Sequence, residues 1–79
     1  MTLAETLLKN MNQKSQNYKV LNHMVYKGAI TTYQAYNQYG ITRLPARIAD
    51  IEAFGIKVDR KTIWSREKGT HWNEYSITN

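Results

Sequence analysis

The 79-residue sequence predicts a single α+β domain, helical in its first two-thirds and closed by a β-hairpin. Three observations predict it. Apolar residues recur at helical spacing as far as Phe54. Gly55 ends that pattern, and the period then shifts from 3.6 towards 2. Beyond it, two β-rich runs flank the polar Arg66-Glu67-Lys68-Gly69-Thr70, which reads as a hairpin turn.

Each element has its own local signal. Thr2-x-x-Glu5 is a capping-box pattern, in which two side chains satisfy two free N–H groups reciprocally. Leu3, Leu7, Leu8 and Met11 follow at helical spacing, so a first helix is expected over residues 2–11. The polar stretch 10–17 reads as a connector. A second helix is expected over 15–27, with Val20 or Leu21, Met24 and Val25 as its stripe and Gly28 as its stop. Ala29-Ile30 is long enough for a two-residue strand.

Thr31-x-x-Gln34 is another capping box and opens a helix that ends at Tyr39. Gly40 suits the left-handed conformation of a tight turn, Ile41 is a buried pivot, and Thr42 is an N-cap for the next helix. Pro45 falls in that helix's first turn, where its missing N–H does no harm. Leu44, Ile48 and Ile51 stand at i, i+4 and i+7, and Phe54 completes the face. After Gly55 come Ile56, Val58, Ile63 and Trp64, then Trp72, Tyr75 and Ile77. Val58 and Ile63 differ in parity, so a turn or bulge is expected within 59–62.

Helix, short strand, helix, glycine turn, helix and hairpin is the order of a winged helix-turn-helix: a three-helix core with a C-terminal β-hairpin wing. The expected division is an N-terminal helix or arm over 1–14 and the winged domain over 15–79. A helix-turn-helix needs a small residue where its helices touch, here Ala35, and a turn residue with an apolar lock, here Gly40 and Ile41. Its second helix, 42–54, must bury one stripe and leave the other free for the DNA major groove. Thr42, Arg43, Ala46, Arg47 and Asp50 fall on the free side. Arginine bonds guanine O6 and N7 bidentately, and an alanine methyl can touch thymine. The competing reading pairs Arg47 with Asp50 on a solvated face.

The run Ile30-Thr31 through Tyr39-Gly40-Ile41, then Arg43-Leu44-Pro45-Ala46-Arg47-Ile48-x-Asp50-Ile51 with Gly55 and Tyr75-x-Ile77, resembles the small helix-turn-helix domains of bacteriophages and prophages. The resemblance covers residues 17–78. It implies a winged-helix fold and a DNA-binding or transcription-regulatory role.

The hairpin, 62–77, is then the wing. Arg66, Lys68 and the Gly69 amide at its tip suit phosphates or the minor groove, with Lys57, Arg60 and Lys61 at its base. The alternative is an ordinary charged hairpin tip. With a loop centred on Lys68, Trp64 and Trp72 lie opposite each other as a packing pair; otherwise they mark a partner surface. The tyrosines are expected mostly in the core, with Tyr33 or Tyr36 within reach of a phosphate.

Eleven Lys/Arg against six Asp/Glu give a net charge of +5, and the pI is about 9.6. That balance favours an anionic partner, nucleic acid ahead of a membrane surface. With no cysteine, disulfides, thiolate zinc sites and cysteine nucleophiles are excluded. No apolar run approaches the roughly 18 residues of a membrane span. The start Met1-Thr2-Leu3-Ala4-Glu5 does not read as a secretory signal, so a cytoplasmic protein of a bacterial host cell is expected, with no membrane partner.

His23 and His71 lack a further ligand at metal spacing. Asp50 with Asp59-Arg60-Lys61 does not place carboxylates on adjoining strands, as a nuclease needs. Ser15, Ser65 and Ser76 lack a His–acid relay. No phosphate-binding glycine loop is present. Neither enzymatic activity nor a cofactor is expected.

The functional expectation is therefore a double-stranded DNA-binding regulator of a phage or mobile element. Two other functions stay open: a protein-interaction module, such as a phage inhibitor of a host or defence complex, and a small excision or architectural factor that bends DNA. Leu3 and Leu7 on the first helix serve either as a homodimer contact or as a cap on the domain's own core.

Overall fold

The chain alternates helix and strand as α1 (Leu3–Asn10), α2 (Gln16–Tyr26), β1 (Ile30–Thr31), α3 (Thr32–Tyr39), α4 (Leu44–Ala53), β2 (Val58–Ser65) and β3 (Thr70–Ile77). This is the architecture of a computed structural model that describes residues 3–77. The strands form one antiparallel sheet in the order β1-β3-β2. Three helices and this sheet make the expected winged helix-turn-helix, with α1 added before it.

Local chemistry explains most boundaries. Ser15 caps α2 by accepting the Tyr18 N–H at 3.1 Å. Gly28, at φ +107°, donates its N–H to the His23 carbonyl and stops the helix. The Thr31–Gln34 capping box closes in both directions, at 3.1 and 3.0 Å. Gly40 takes φ +68°, and its N–H bonds the Tyr36 carbonyl while that of Ile41 reaches Ala35. This paired closure satisfies two carbonyls at the end of α3. It also drops the Ile41 side chain into the core, where it is fully buried.

The core is one cluster. Val20, Leu21, Ile30, Leu44, Ile48 and Ile51 are fully buried at its centre, with Tyr75 and Val58 closing it from the sheet. Helix α1 belongs to the same cluster through Ala4 and Leu8. Leu7 and Met11 are half-buried against it, and Leu3 is exposed. Of the expected residues Leu3, Leu7, Leu8 and Met11, Leu8 is the buried one, and its partner one turn earlier is Ala4. The Thr2 cap lies outside the described residues.

Several expectations need correction. Thr42 does not cap α4: the helix starts one residue later, with Arg43 as an N-cap that makes no side-chain bond and Pro45 in the first turn. Phe54 does not complete the buried face, because it follows the last helical residue and is half exposed. No bulge interrupts 59–62. Strand β2 pairs with β3 in unbroken register from Val58↔Ile77 to Ser65↔Thr70. Exposed Asp59 to Thr62 carry the ladder outward, so Val58 and Ile63 lie on opposite faces.

That register also separates the tryptophans. The loop is four residues, 66–69, so Trp64 faces His71 and Trp72 faces Ile63. A loop centred on Lys68 would have paired the two indoles, whereas half a residue's shift puts them on opposite faces. The tyrosines divide as well. Tyr75 is buried, Tyr18 and Tyr39 are partly buried, and Tyr26, Tyr33 and Tyr36 are exposed. On an eight-residue α3 that buries Ala35 alone, two of its three rings have no core to enter.

Candidate nucleic-acid interface

Helix α4 presents two unlike sides. Leu44, Ile48 and Ile51 are fully buried, spending the apolar stripe on the core. Arg43 at the N-cap is exposed, Ala46, Arg47 and Asp50 are half-buried, and Thr42 is exposed in the turn before them. The predicted residues of this helix are therefore brought to one end and one side. The orientation follows from the glycine turn, since Ile41 anchors the chain one turn ahead of Leu44.

Arg47 Nη2 lies 3.3 Å from Asp50 Oδ2, an i, i+3 ion pair whose side chains are 31% and 46% exposed. In the free protein this is the competing arrangement anticipated from the sequence. The pair is half solvated and adds little to stability. The Arg47 Nε is buried without a hydrogen-bond partner, so the guanidinium is held short of full satisfaction. Asp50 orients this arginine but does not saturate it. No ion pair involves Arg43 among the described residues.

The wing carries the second set. Arg66, Lys68 and Gly69 fall in the four-residue loop, all exposed. Gly69 adopts φ +60°, and the Lys68 N–H is tied to Ser65 Oγ at 3.3 Å. Lys61 lies on β2 directly opposite Glu74, on the face turned away from Tyr75. Its charge is thus partly offset, and at the tip Glu67 stands between Arg66 and Lys68. Trp64 is 72% exposed and stacks at 4.6 Å on His71, past the end of the core. Trp72 is 39% exposed.

Two relationships have no signature in the sequence. Arg60, half exposed on β2, forms a forked pair with Glu52 in the last turn of α4 and lies over the Tyr75 ring at 5.7 Å. The Glu52 hydrogen bond pushes the guanidinium pKa further up. Second, buried His23 on α2 accepts the Tyr39 hydroxyl at Nδ1, 2.8 Å, and donates from Nε2 to the Ala29 carbonyl, 3.2 Å. This assigns the neutral tautomer with its proton on Nε2. Burial lowers its pKa, the Lys27 charge adds to the lowering, and the Ala29 bond opposes it. The contact secures the last turn of α3 just before Gly40.

A family model described as a winged helix-turn-helix domain matches residues 15–79. The chain belongs to that family. Membership suggests DNA binding in general, with DNA as the partner. Helix α1 precedes the matched residues, although it packs into the winged-helix core. No curated protein and no solved structure matched the chain. Among the described residues, no helix is long and apolar enough to cross a membrane, and no group of three or more His, Asp and Glu is placed to hold a metal ion.

Proposed function

We propose that this winged helix-turn-helix chain is a sequence-specific double-stranded DNA-binding protein without enzymatic activity. It serves as a transcriptional regulator of a phage or other mobile element in the bacterial host's cytoplasm. Helix α4 enters the major groove, with Arg43 and Arg47 reading base edges and Ala46 lying against a thymine methyl. Asp50 accepts from cytosine or holds Arg47 in place. Arg66, Lys68 and the Gly69 amide grip phosphates from the wing, with Lys61 behind them. A single module of this size binds modestly, so two copies on adjacent half-sites are expected.

The observation that carries this reading is the seating of α4. Its apolar stripe is fully buried, Arg47 is half-buried on the flank of that stripe, and Arg43 stands exposed at the helix's N-terminal end. That is the end that meets base edges in helix-turn-helix complexes.

Fluorescence-anisotropy titration, with DNA from upstream of the protein's own gene and with random-sequence DNA at two salt concentrations, tests it. Salt-sensitive binding with a clear preference for the upstream DNA is expected. Arg43→Ala and Arg47→Ala should each cost about 1–3 kcal/mol of that preference while the circular-dichroism spectrum is unchanged. Equal, weak binding to both DNAs would overturn the reading. A protein partner captured through Trp64 would then transfer the assignment to a protein-interaction module.

A further inference from the structure

Strand β3 is longer than the strand that covers its outer edge. β1 pairs with it only at Ile30↔Tyr75 and Thr31↔Glu74, and the chain then turns into α3. Residues 70–73 therefore have no strand on that side among the described residues. A groove of about 750 Å³ lies there, between β3 and α3. Consecutive β3 residues Thr70, His71 and Trp72 border it, and no β2 residue does. Neighbours in a strand point to opposite faces, so a groove bordered by both lies along the strand's edge. Thr31 closes one end, and Lys68 stands at the other.

We infer that this slot takes an extended peptide as a fourth strand beside β3, with an acidic residue at the wing-tip end. A bare edge offers backbone N–H and C=O groups at the repeat of another peptide, the basis of recognition by strand addition. Four residues of edge span about 13 Å. Across the slot, Gln34, Asn37 and Gln38 of α3 present amides to the incoming strand's other edge. Gln34 Oε1 already holds the Thr31 N–H. Tyr33 and Trp72 supply aromatic walls at the rim.

The occupant is a single segment. A second copy's hairpin is two strands wide, about 10 Å, and α3 stands across its path. Lys68 at the open end, on a chain of net charge +5, selects an acidic side chain there, whereas Glu74 beside Thr31 disfavours one at the closed end. No residue of α4 borders the slot, and Lys68 is the one lining residue that it shares with the proposed phosphate contacts of the wing tip.

The test pans a library of random eight-residue peptides on the full chain. The enriched peptides are then titrated against labelled protein while amide exchange is followed. Enriched sequences should alternate β-branched residues and carry an acidic residue, and the alternate amides in 70–73 that point away from β2 should exchange about tenfold more slowly. Methylating alternate backbone nitrogens of such a peptide should weaken it about tenfold, and Lys68→Glu should weaken it about fivefold without unfolding the exposed loop. No enrichment over an unrelated bait, protection elsewhere, or indifference to backbone methylation would overturn the inference. So would equal protection by an eight-nucleotide oligothymidylate that displaces the peptides, which would assign the slot to single-stranded nucleic acid.

Discussion

Arg60 and Glu52 join the wing to helix α4: one guanidinium nitrogen reaches Oε1 at 2.5 Å and the other approaches Oε2 at 3.5 Å. Both side chains are well exposed, so the pair contributes little to folding stability. Its consequence is geometric. It ties the base of β2 to the last turn of α4, so that under the proposed function wing and helix would meet DNA as one surface. Glu52→Gln makes the protein more basic, and electrostatics alone would strengthen binding to any DNA. The rigid-surface account gives the opposite sign. Binding to the specific site should weaken about threefold, because the wing must now be ordered on binding. Amide exchange at Arg60 to Ile63 should quicken while the melting temperature barely moves. Anisotropy and exchange measured on the same variant check both.

Asp50 acts on Arg47 in a different way. It pairs with the guanidinium, yet leaves Nε buried and unpartnered, and it places a negative charge on the side of α4 that the proposed function turns towards DNA. Asp50→Asn should therefore raise affinity for random-sequence DNA several-fold. The logarithmic salt slope should steepen by about one, as expected for one further phosphate contact. The ratio of specific to random binding should fall, because a freed arginine meets phosphates of any sequence. Titrations at three salt concentrations read all of this.

The His23–Tyr39 contact gives the fold an acid-sensitive point. Burial holds the imidazole below its ordinary 6.5, so the unfolded chain takes up the proton more readily than the folded one. Its contribution is present in full above pH 6.5 and is lost as pH falls through the lowered folded value. The melting temperature should drop between pH 7.5 and 5, and His23→Gln should flatten that part of the profile. Tyr39→Phe leaves Nδ1 without its donor and should cost about 1–2 kcal/mol at neutral pH. Thermal melts across the pH series check each arm.

Much of this molecule was legible in the sequence because its signals are local. The capping box at Thr31 and Gln34, the left-handed Gly40 and the stripe Leu44, Ile48, Ile51 each act within a turn or two, and together they set the helix-turn-helix. The wing's existence was legible for the same reason. Its register was not. Four loop residues or five decide whether Trp64 faces His71 or Trp72, and the polar run 66–70 fits both. Pairings across distance were also hidden. Glu52 with Arg60 and His23 with Tyr39 need the packed fold to meet, and single charged or polar residues have no periodicity to betray a partner. On α1, Ala4 is fully buried although the apolar spacing of the leucines did not include it.

Helix α1 supplies the last prediction. It lies ahead of the residues that match the winged-helix family, yet Ala4 is fully buried and Leu8 is 7% exposed in the common core. Leu3 reaches within 3.8 Å of where a Cβ on Gly55 would stand, so the helix also covers the end of α4. A 79-residue chain has only about 4–12 kcal/mol of net stability. Truncating a buried leucine removes about 2–5 kcal/mol of it. Leu8→Ala should therefore lower the urea midpoint sharply, whereas Leu3→Ala, at a half-exposed position, should shift it much less. Deleting residues 1–12 should expose the Val20 and Leu21 side of α2 and destabilise the monomer more than either substitution. Sedimentation of the same variants separates packing from assembly: a helix that serves the core changes the midpoint and leaves the mass of folded Leu3→Ala unchanged. A fall from dimer to monomer in Leu3→Ala, with the midpoint intact, would instead make α1 the surface where two copies meet.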